Sequence, residues 1–215
     1  MKVTKYHGDF DQGVYLDQAI ENLLLHRFGI DRHGTFVDVG AYDPVHLSNS
    51  YYFETEKDFL VICVEANPIM AERLRRKRKV VIEAAAANEC SPRAPFQIVL
   101  GHPRETDFAG SGMHTYEGVR SETTTKTAKA IFDIRVAAIT LDAILESCGV
   151  KEIDVLSIDV EGHEKQVLEG FTLERYKPKV LCIENYFQET WLAAALPGYE
   201  FTMRLHYDDF FARSK

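Results

Sequence analysis

Short, almost uninterrupted apolar runs recur along the chain and predict the strands of a buried sheet. The runs occupy residues 35–41, 59–65, 79–83, 153–159 and 180–184. A strand with one solvated face alternates apolar and polar residues, whereas these runs are apolar nearly throughout, as parallel strands covered on both faces must be. The segment 199–207 does alternate, and it predicts a final antiparallel strand.

Helical spacing of apolar residues separates these strands. It is found in residues 16–28, 47–56, 68–77, 140–148 and 163–170. In the first of these, Asp17 near the start and Gly29 at the end are typical helix boundary signals. Strands that alternate with helices predict an α/β fold with an open, mostly parallel sheet, and such sheets bind ligands at the carboxyl ends of their strands.

The length of 215 residues favours one domain over the whole chain, 1–215, with residues 1–30 as an N-terminal helical extension. The stretch 101–129 breaks the pattern because it is rich in Gly, Ser, Thr and His. Polar insertions of this length are often functional, and we expect this one to be a substrate-binding lid.

Charge and cysteine content exclude several classes of protein. With 25 basic and 33 acidic residues the net charge is −8, which gives no overall positive surface for nucleic acid. The four cysteines form no Cys-x-x-Cys pair, and no apolar run approaches the ~20 residues that span a bilayer, so we expect a cytoplasmic protein with no membrane partner. The basic run 73–79 is interpreted as a solvated helix end.

Acidic residues stand at or near the ends of four predicted strands, and two of them indicate a cofactor. Asp38 lies in a turn whose one glycine is Gly40, and a carboxylate there would repel a pyrophosphate and attract a cationic group. Glu65 ends the next strand, 27 residues later, where an acid accepts hydrogen bonds from ribose hydroxyls. Because the Gly-x-Gly-x-x-Gly fingerprint is missing, these acids favour S-adenosylmethionine over NAD.

Five motifs in succession resemble those of FkbM-type methyltransferases, in the family's order. They occupy residues 36–41, 48–54, 64–68, 140–145 and 153–164. The resemblance implies a Rossmann-like class I methyltransferase fold, with a mostly parallel seven-strand sheet and helices on both faces, and S-adenosylmethionine-dependent O-methylation. It implies adenine packing near Ala85 and cofactor contacts at Asp38, Gly40, Ala41, Tyr42, Asn49, Glu65, Ala66 and Asp159. The chain departs from the family pattern at Tyr42-Asp43-Pro44 and at Glu83-Ala84-Ala85.

The remaining acids suggest how a hydroxyl could be activated. Asp159, Glu184 and Asn185 supply three oxygen ligands from the ends of two strands, which suits Mg²⁺. His163, four residues after Asp159, is the predicted general base, with Asp159 as a second catalytic residue. The alternative is structural: the acids cap a helix or pair with lysine, and His163 is a solvated residue of a first helical turn.

The sequence therefore predicts an O-methyltransferase acting on a hydroxyl of a small sugar-containing or natural-product acceptor, possibly as a homo-oligomer. Two other functions remain open at this point. A non-catalytic nucleoside-binding module would retain Asp38 and Glu65 without needing the second group of acids. An NAD-dependent oxidoreductase would use the same sheet but lacks its glycine fingerprint.

Overall fold

A computed structural model describes residues 5–100, 112–113 and 130–214 of the chain. The strands are β1 (Phe10–Asp11), β2 (Val14–Tyr15), β3 (Thr35–Val39), β4 (Leu60–Glu65), β5 (Val80–Glu83), β6 (Ala85–Ala87), β7 (Ser91–Leu100), β8 (Gly112–Met113), β9 (Ala130–Thr140), β10 (Val155–Ile158), β11 (Val180–Glu184), β12 (Tyr199–Leu205) and β13 (Asp208–Arg213). The helices are α1 (Leu16–Leu23), α2 (Tyr51–Glu56), α3 (Pro68–Arg75), α4 (Leu141–Ser147), α5 (Glu164–Glu169), α6 (Leu173–Tyr176) and α7 (Trp191–Ala195).

The main sheet has seven strands in the order β12-β13-β11-β10-β3-β4-β5. The five strands from β11 to β5 are parallel, and β13 runs antiparallel to both of its neighbours. The five predicted parallel strands are thus confirmed. The segment 199–207, predicted as the final antiparallel strand, forms β12 and pairs antiparallel with β13, but β13 itself was not predicted and follows β12 in the chain. The chain builds outward from β3 to β5 and then returns to the other side of β3, so the strand order reverses between β3 and β10, where open α/β sheets bind ligands.

Side chains of the sheet alternate between two apolar cores, one on each face. On one face Phe36 and Val61 pack with residues of α1, α2 and α3, including Leu16 and Leu74. On the other face Val37, Ile62 and Leu181 pack with residues of α4, α5, α6 and α7. The prediction of helices on both faces is confirmed, and four of the parallel strands, β3, β4, β10 and β11, are buried from both sides, whereas the edge strand β5 is only half-buried.

Local signals set the helix boundaries. The helix predicted over 16–28 consists of α1 and a π-helical turn, Leu24–Phe28, and it stops at Gly29, whose φ of 69° suits glycine. At the start of α3 the side chain of Asn67 accepts a hydrogen bond from the Ile69 N–H at 3.0 Å, and Pro68 occupies the first turn. This cap directs the chain away from the sheet directly after β4.

A second sheet of four strands, β6-β9-β7-β8, was not predicted from the sequence. Pro92 and Pro95 fall within β7, and proline argues against an internal strand. The hairpin of β7 and β9 carries the stretch 101–129, of which the structure describes Gly112–Met113 alone, so the predicted lid lies outside the described residues. Phe96 and Ile98 of this hairpin pack on Met70 of α3.

The described part of the chain contains no helix long and apolar enough to cross a membrane.

Candidate active site

The turn after β3 lies tightly against the end of β10. The Gly40 N–H donates to the Val64 carbonyl at 2.9 Å, and the φ of Gly40 is +84°. A Cβ atom at this position would lie 1.7 Å from the carbonyl oxygen of Asp159. Only glycine allows this close approach of two backbones, which draws the carboxyl ends of β3 and β10 together.

A pocket opens beside this turn, on the face of the sheet that carries α4 and α5. It opens to solvent and has a cavity volume of about 40 Å³. Its lining, called here the alanine pocket, consists of Val39, Gly40, Val64, Ala66, Ala84, Ala85, Ala86, Phe96, Val160 and His163. Small apolar side chains form most of its wall, so the pocket suits a flat and largely apolar group.

Glu65 is the last residue of β4 and directly precedes Ala66 of the pocket. Its Oε1 accepts the Asn67 N–H at 2.7 Å and its Oε2 accepts the Tyr42 N–H at 2.8 Å. Burial raises the pKa of Glu65 to about 7, against the effect of these two donors, and the nearby charge of Asp38 acts in the same direction as burial. The carboxylate is therefore fixed in one orientation at the edge of the pocket.

Three of the predicted cofactor residues lie away from the pocket wall. Asp38 points to the opposite face of the sheet from Val39 and accepts a hydrogen bond from the Ser50 hydroxyl. Burial raises the pKa of Asp38, opposed by this hydrogen bond and by the charge of Arg78. Ala41 packs into the core beneath α1 and α2, and the Asn49 amide contacts the Ser157 hydroxyl at 3.4 Å. The structure thus brings Gly40, Ala66, Ala85 and His163 together, with Glu65 and Tyr42 beside them.

One residue of the basic run 73–79 corrects the interpretation of that run as solvated. Arg78 is buried, and its Nε lies 2.5 Å from the Glu54 carboxylate. Its other guanidinium nitrogens donate to the Ser50 hydroxyl at 2.7 Å and to the Pro44 carbonyl at 3.3 Å. The buried ion pair with Glu54 holds the loop of residues 44–50 in place, and through Ser50 it supports Asp38.

Three carboxylates converge near the carboxyl ends of β10 and β11. One oxygen from each of Asp159, Glu164 and Glu184 lies within 4.8 Å of the others, and we call these residues the carboxylate cluster. By its surface area, Asp159 is exposed. Surrounding protein atoms that remove water from the carboxyl, followed by the negative charge of Glu184, raise the pKa of Asp159 well above its usual range. The same two causes raise the pKa of Glu164 to about 8.

The predicted metal ligands Asp159 and Glu184 belong to this cluster, and Asn185 has other partners. Its Nδ2 donates to Asp209 at 2.7 Å, and its Oδ1 accepts the Glu189 N–H at 2.8 Å. Glu164 was missed because it stands in the first turn of α5 and not at the end of a strand. A signal for it exists in the run Asp-x-Glu-Gly-x-Glu, because the Glu164 carboxylate accepts the N–H groups of Val160 and Gly162 at 3.1 and 3.0 Å.

His163, the predicted base, is the N-cap residue of α5 and is only 4% exposed. It lines the alanine pocket together with Ala85 and Phe96. Burial lowers the pKa of His163, and the charge of Glu169 opposes this effect only in part. A buried, neutral imidazole therefore faces the pocket.

Aromatic side chains surround the chain after β11 and the turn between β12 and β13. This aromatic rim consists of Tyr186, Phe187, His206 and Tyr207. The rings of Tyr186 and Tyr207 are 4.7 Å apart, and both Tyr186 and Phe187 are 37% exposed. The rim adjoins the carboxylate cluster because the Asn185 N–H donates to the Tyr207 carbonyl and Glu184 pairs with Asp208 across the sheet.

A family model for the methyltransferase FkbM domain matches residues 38–207. The chain belongs to the FkbM methyltransferase family. The match begins at Asp38 and ends at Tyr207, so this FkbM domain includes the alanine pocket, the carboxylate cluster and most of the main sheet. The comparison with curated proteins gave no match.

Proposed function

We propose that this FkbM methyltransferase uses S-adenosylmethionine, with the adenine in the alanine pocket and the ribose at Glu65, in a Rossmann-like class I arrangement. The observation that carries the proposal is the convergence of Gly40, Ala66 and Ala85 around one cavity where the strand order reverses, with Glu65 next to Ala66. Gly40 and Ala66 follow two neighbouring parallel strands, which align them at one edge of the main sheet, and Ala85 comes from β6 of the second sheet.

The residues of the pocket fit such a cofactor. Each oxygen of Glu65 receives one backbone N–H, and a carboxylate oxygen has a second lone pair that can accept a ribose hydroxyl. The small alanine side chains of the wall can pack against the face of a flat base.

We propose a hydroxyl as the methyl acceptor. Transfer forms a carbon–oxygen bond and breaks the carbon–sulfur bond of the sulfonium, so the chain has to align the hydroxyl and accept its proton. Of the two predicted catalytic residues we favour Asp159 as the base, in place of the predicted His163, because Asp159 is exposed at the cluster whereas His163 is enclosed in the pocket wall.

The carboxylate cluster has a donor set suited to a divalent cation such as Mg²⁺. Asp159, Glu164 and Glu184 offer hard oxygen ligands from two strand ends and a helix start, and their mutual repulsion would be relieved by a cation. A cation held there would supply Lewis acidity that lowers the pKa of the acceptor hydroxyl. The chain's own contribution is to fix these oxygens, Glu164 by two backbone N–H groups.

The aromatic rim supports an acceptor that carries a ring. Tyr186 and Phe187 present aromatic surface to solvent beside Glu184, and such surface binds the apolar faces of sugar or natural-product rings at low entropic cost. We therefore propose a small sugar-containing or natural-product hydroxyl compound as the substrate class.

Transfer of a labelled methyl group from S-adenosylmethionine to a panel of such compounds tests the proposed reaction. With an acceptor in hand, Asp159→Asn is expected to lower kcat roughly 10²- to 10⁴-fold, because general bases contribute that much. Asp58→Asn, an exposed position near the other end of the sheet, is the matched control and should retain the wild-type rate. Equal rates for Asp159→Asn and wild type would exclude Asp159 from the chemistry.

The same assay with EDTA tests the cation. We expect EDTA to lower the rate and Mg²⁺ to restore it, and Glu184→Gln to require a higher Mg²⁺ concentration for half-maximal rate. A rate that EDTA leaves unchanged would assign the carboxylate cluster to proton transfer alone.

A further inference from the structure

We propose that His163 recognises the adenine ring of the cofactor by a hydrogen bond and thereby makes the pocket selective for adenine. The inference rests on the proposed function, because it requires the nucleoside to occupy the alanine pocket. It gives His163 a role in binding and not in proton transfer.

The composition of the pocket wall carries this inference. Ten of the residues that the structure describes line the alanine pocket, and among these ten His163 alone has a side chain with a nitrogen or oxygen atom. Alanine and valine side chains and the ring of Phe96 can pack against a base but offer it no strong hydrogen-bond partner. A wall of this kind would bind any flat ring of the right size, so selectivity by side chains falls to His163.

The position of His163 is fixed firmly enough for this task. Its carbonyl accepts the Val167 N–H at 3.1 Å in the first turn of α5, and its neighbour Glu164 is tied to Val160 and Gly162 by hydrogen bonds. The positive φ values of Glu161 and Gly162, 60° and 101°, fold the loop back toward the end of β10. An imidazole held on such a turn meets a base in one orientation, which geometric selectivity requires.

Calorimetric binding of S-adenosylhomocysteine and three analogues tests the role of His163 without any knowledge of the acceptor. The analogues carry hypoxanthine, 3-deazaadenine or 7-deazaadenine, and each alters a different edge of the base. The wild type should bind at least one of them about three- to tenfold more weakly than S-adenosylhomocysteine, the size expected for one hydrogen bond. His163→Phe keeps a flat ring in the wall, and we expect it to reduce that preference to less than twofold.

The decisive quantity is the dissociation constant of each analogue divided by that of S-adenosylhomocysteine. A loss of packing alone would weaken all four ligands equally and leave these ratios unchanged. His26→Phe, at an exposed position remote from the pocket, should leave every ratio unchanged. If His163→Phe fails to fold, His163→Gln must change the ratios, because its amide presents a different pattern of donors and acceptors. Unchanged ratios in the folded variants overturn the assignment of His163 alone, whereas a wild type that binds none of the ligands overturns the proposed function as well.

Discussion

Replacement of Gly40 by alanine should lower the free energy of unfolding by at least about 3 kcal/mol and abolish binding of S-adenosylhomocysteine. The added Cβ would lie 1.7 Å from the carbonyl oxygen of Asp159, a backbone atom that no side-chain rotation can move. Relief of the overlap requires β3 and β10 to separate at their carboxyl ends, and this displaces Asp159 and widens the pocket. Urea denaturation followed by circular dichroism measures the loss of stability.

Gly198→Ala is the matched control for this substitution. Gly198 has nearly the same φ, +81°, but no atom lies within 4 Å of the position that its Cβ would take. Only the cost of a left-handed backbone remains, roughly 1 kcal/mol for alanine. Equal losses of stability at Gly40 and Gly198 would contradict the close approach of the two strand ends.

The second large effect is expected at Arg78. Arg78→Met should lower the free energy of unfolding by about 3–5 kcal/mol, because it leaves the buried carboxylate of Glu54 without its cation. The loop of residues 44–50 would also lose the hydrogen bonds to Ser50 and Pro44, so we expect weaker cofactor binding together with lower stability. The same denaturation experiment gives the first quantity and calorimetry the second.

Arg76→Met is the control for Arg78→Met, because it removes the same charge from an exposed position. Arg76 belongs to the same basic run, but its side chain is 72% exposed and its partner is Glu72 of the same helix. Removal of a surface ion pair costs at most about 1 kcal/mol. The double variant Glu54→Leu/Arg78→Met should recover part of the stability lost in Arg78→Met, and no recovery would argue that the loss arises from packing and not from an unpaired charge.

The fold could be predicted from the sequence where one physical rule dominated. A parallel strand buried on both faces has to be apolar at nearly every position, and this made β3, β4, β10 and β11 recognisable. The hairpin of β7 and β9 was not predicted because it is partly exposed and contains two prolines. It also pairs residues that are far apart in sequence, such as Leu100 with Ala130. Local pattern carries no information about such a pairing.

At the site, the expectation that ligands bind at the carboxyl ends of parallel strands located Glu65, Asp159 and Glu184. It did not predict the direction in which each side chain points. Alternation along β3 turns Asp38 away from the alanine pocket, and the N-cap geometry of α5 places His163 in the pocket wall. The buried pair of Arg78 and Glu54 could not be predicted, because a run of basic residues has the same composition whether or not one of its members is buried.

The central claim is that the alanine pocket holds the nucleoside of S-adenosylmethionine. The most direct test is calorimetric titration of S-adenosylhomocysteine into the wild type and into the Ala85→Leu variant. Leucine at this position adds three carbons to the pocket wall, whereas Ala194→Leu, the control, adds them at an exposed site on α7. We predict one binding site in the wild type, unchanged affinity in Ala194→Leu and affinity reduced roughly 5- to 150-fold in Ala85→Leu, since overpacking costs about 1–3 kcal/mol. Equal affinities in wild type and a folded Ala85→Leu variant, or no binding to the wild type, would contradict the claim.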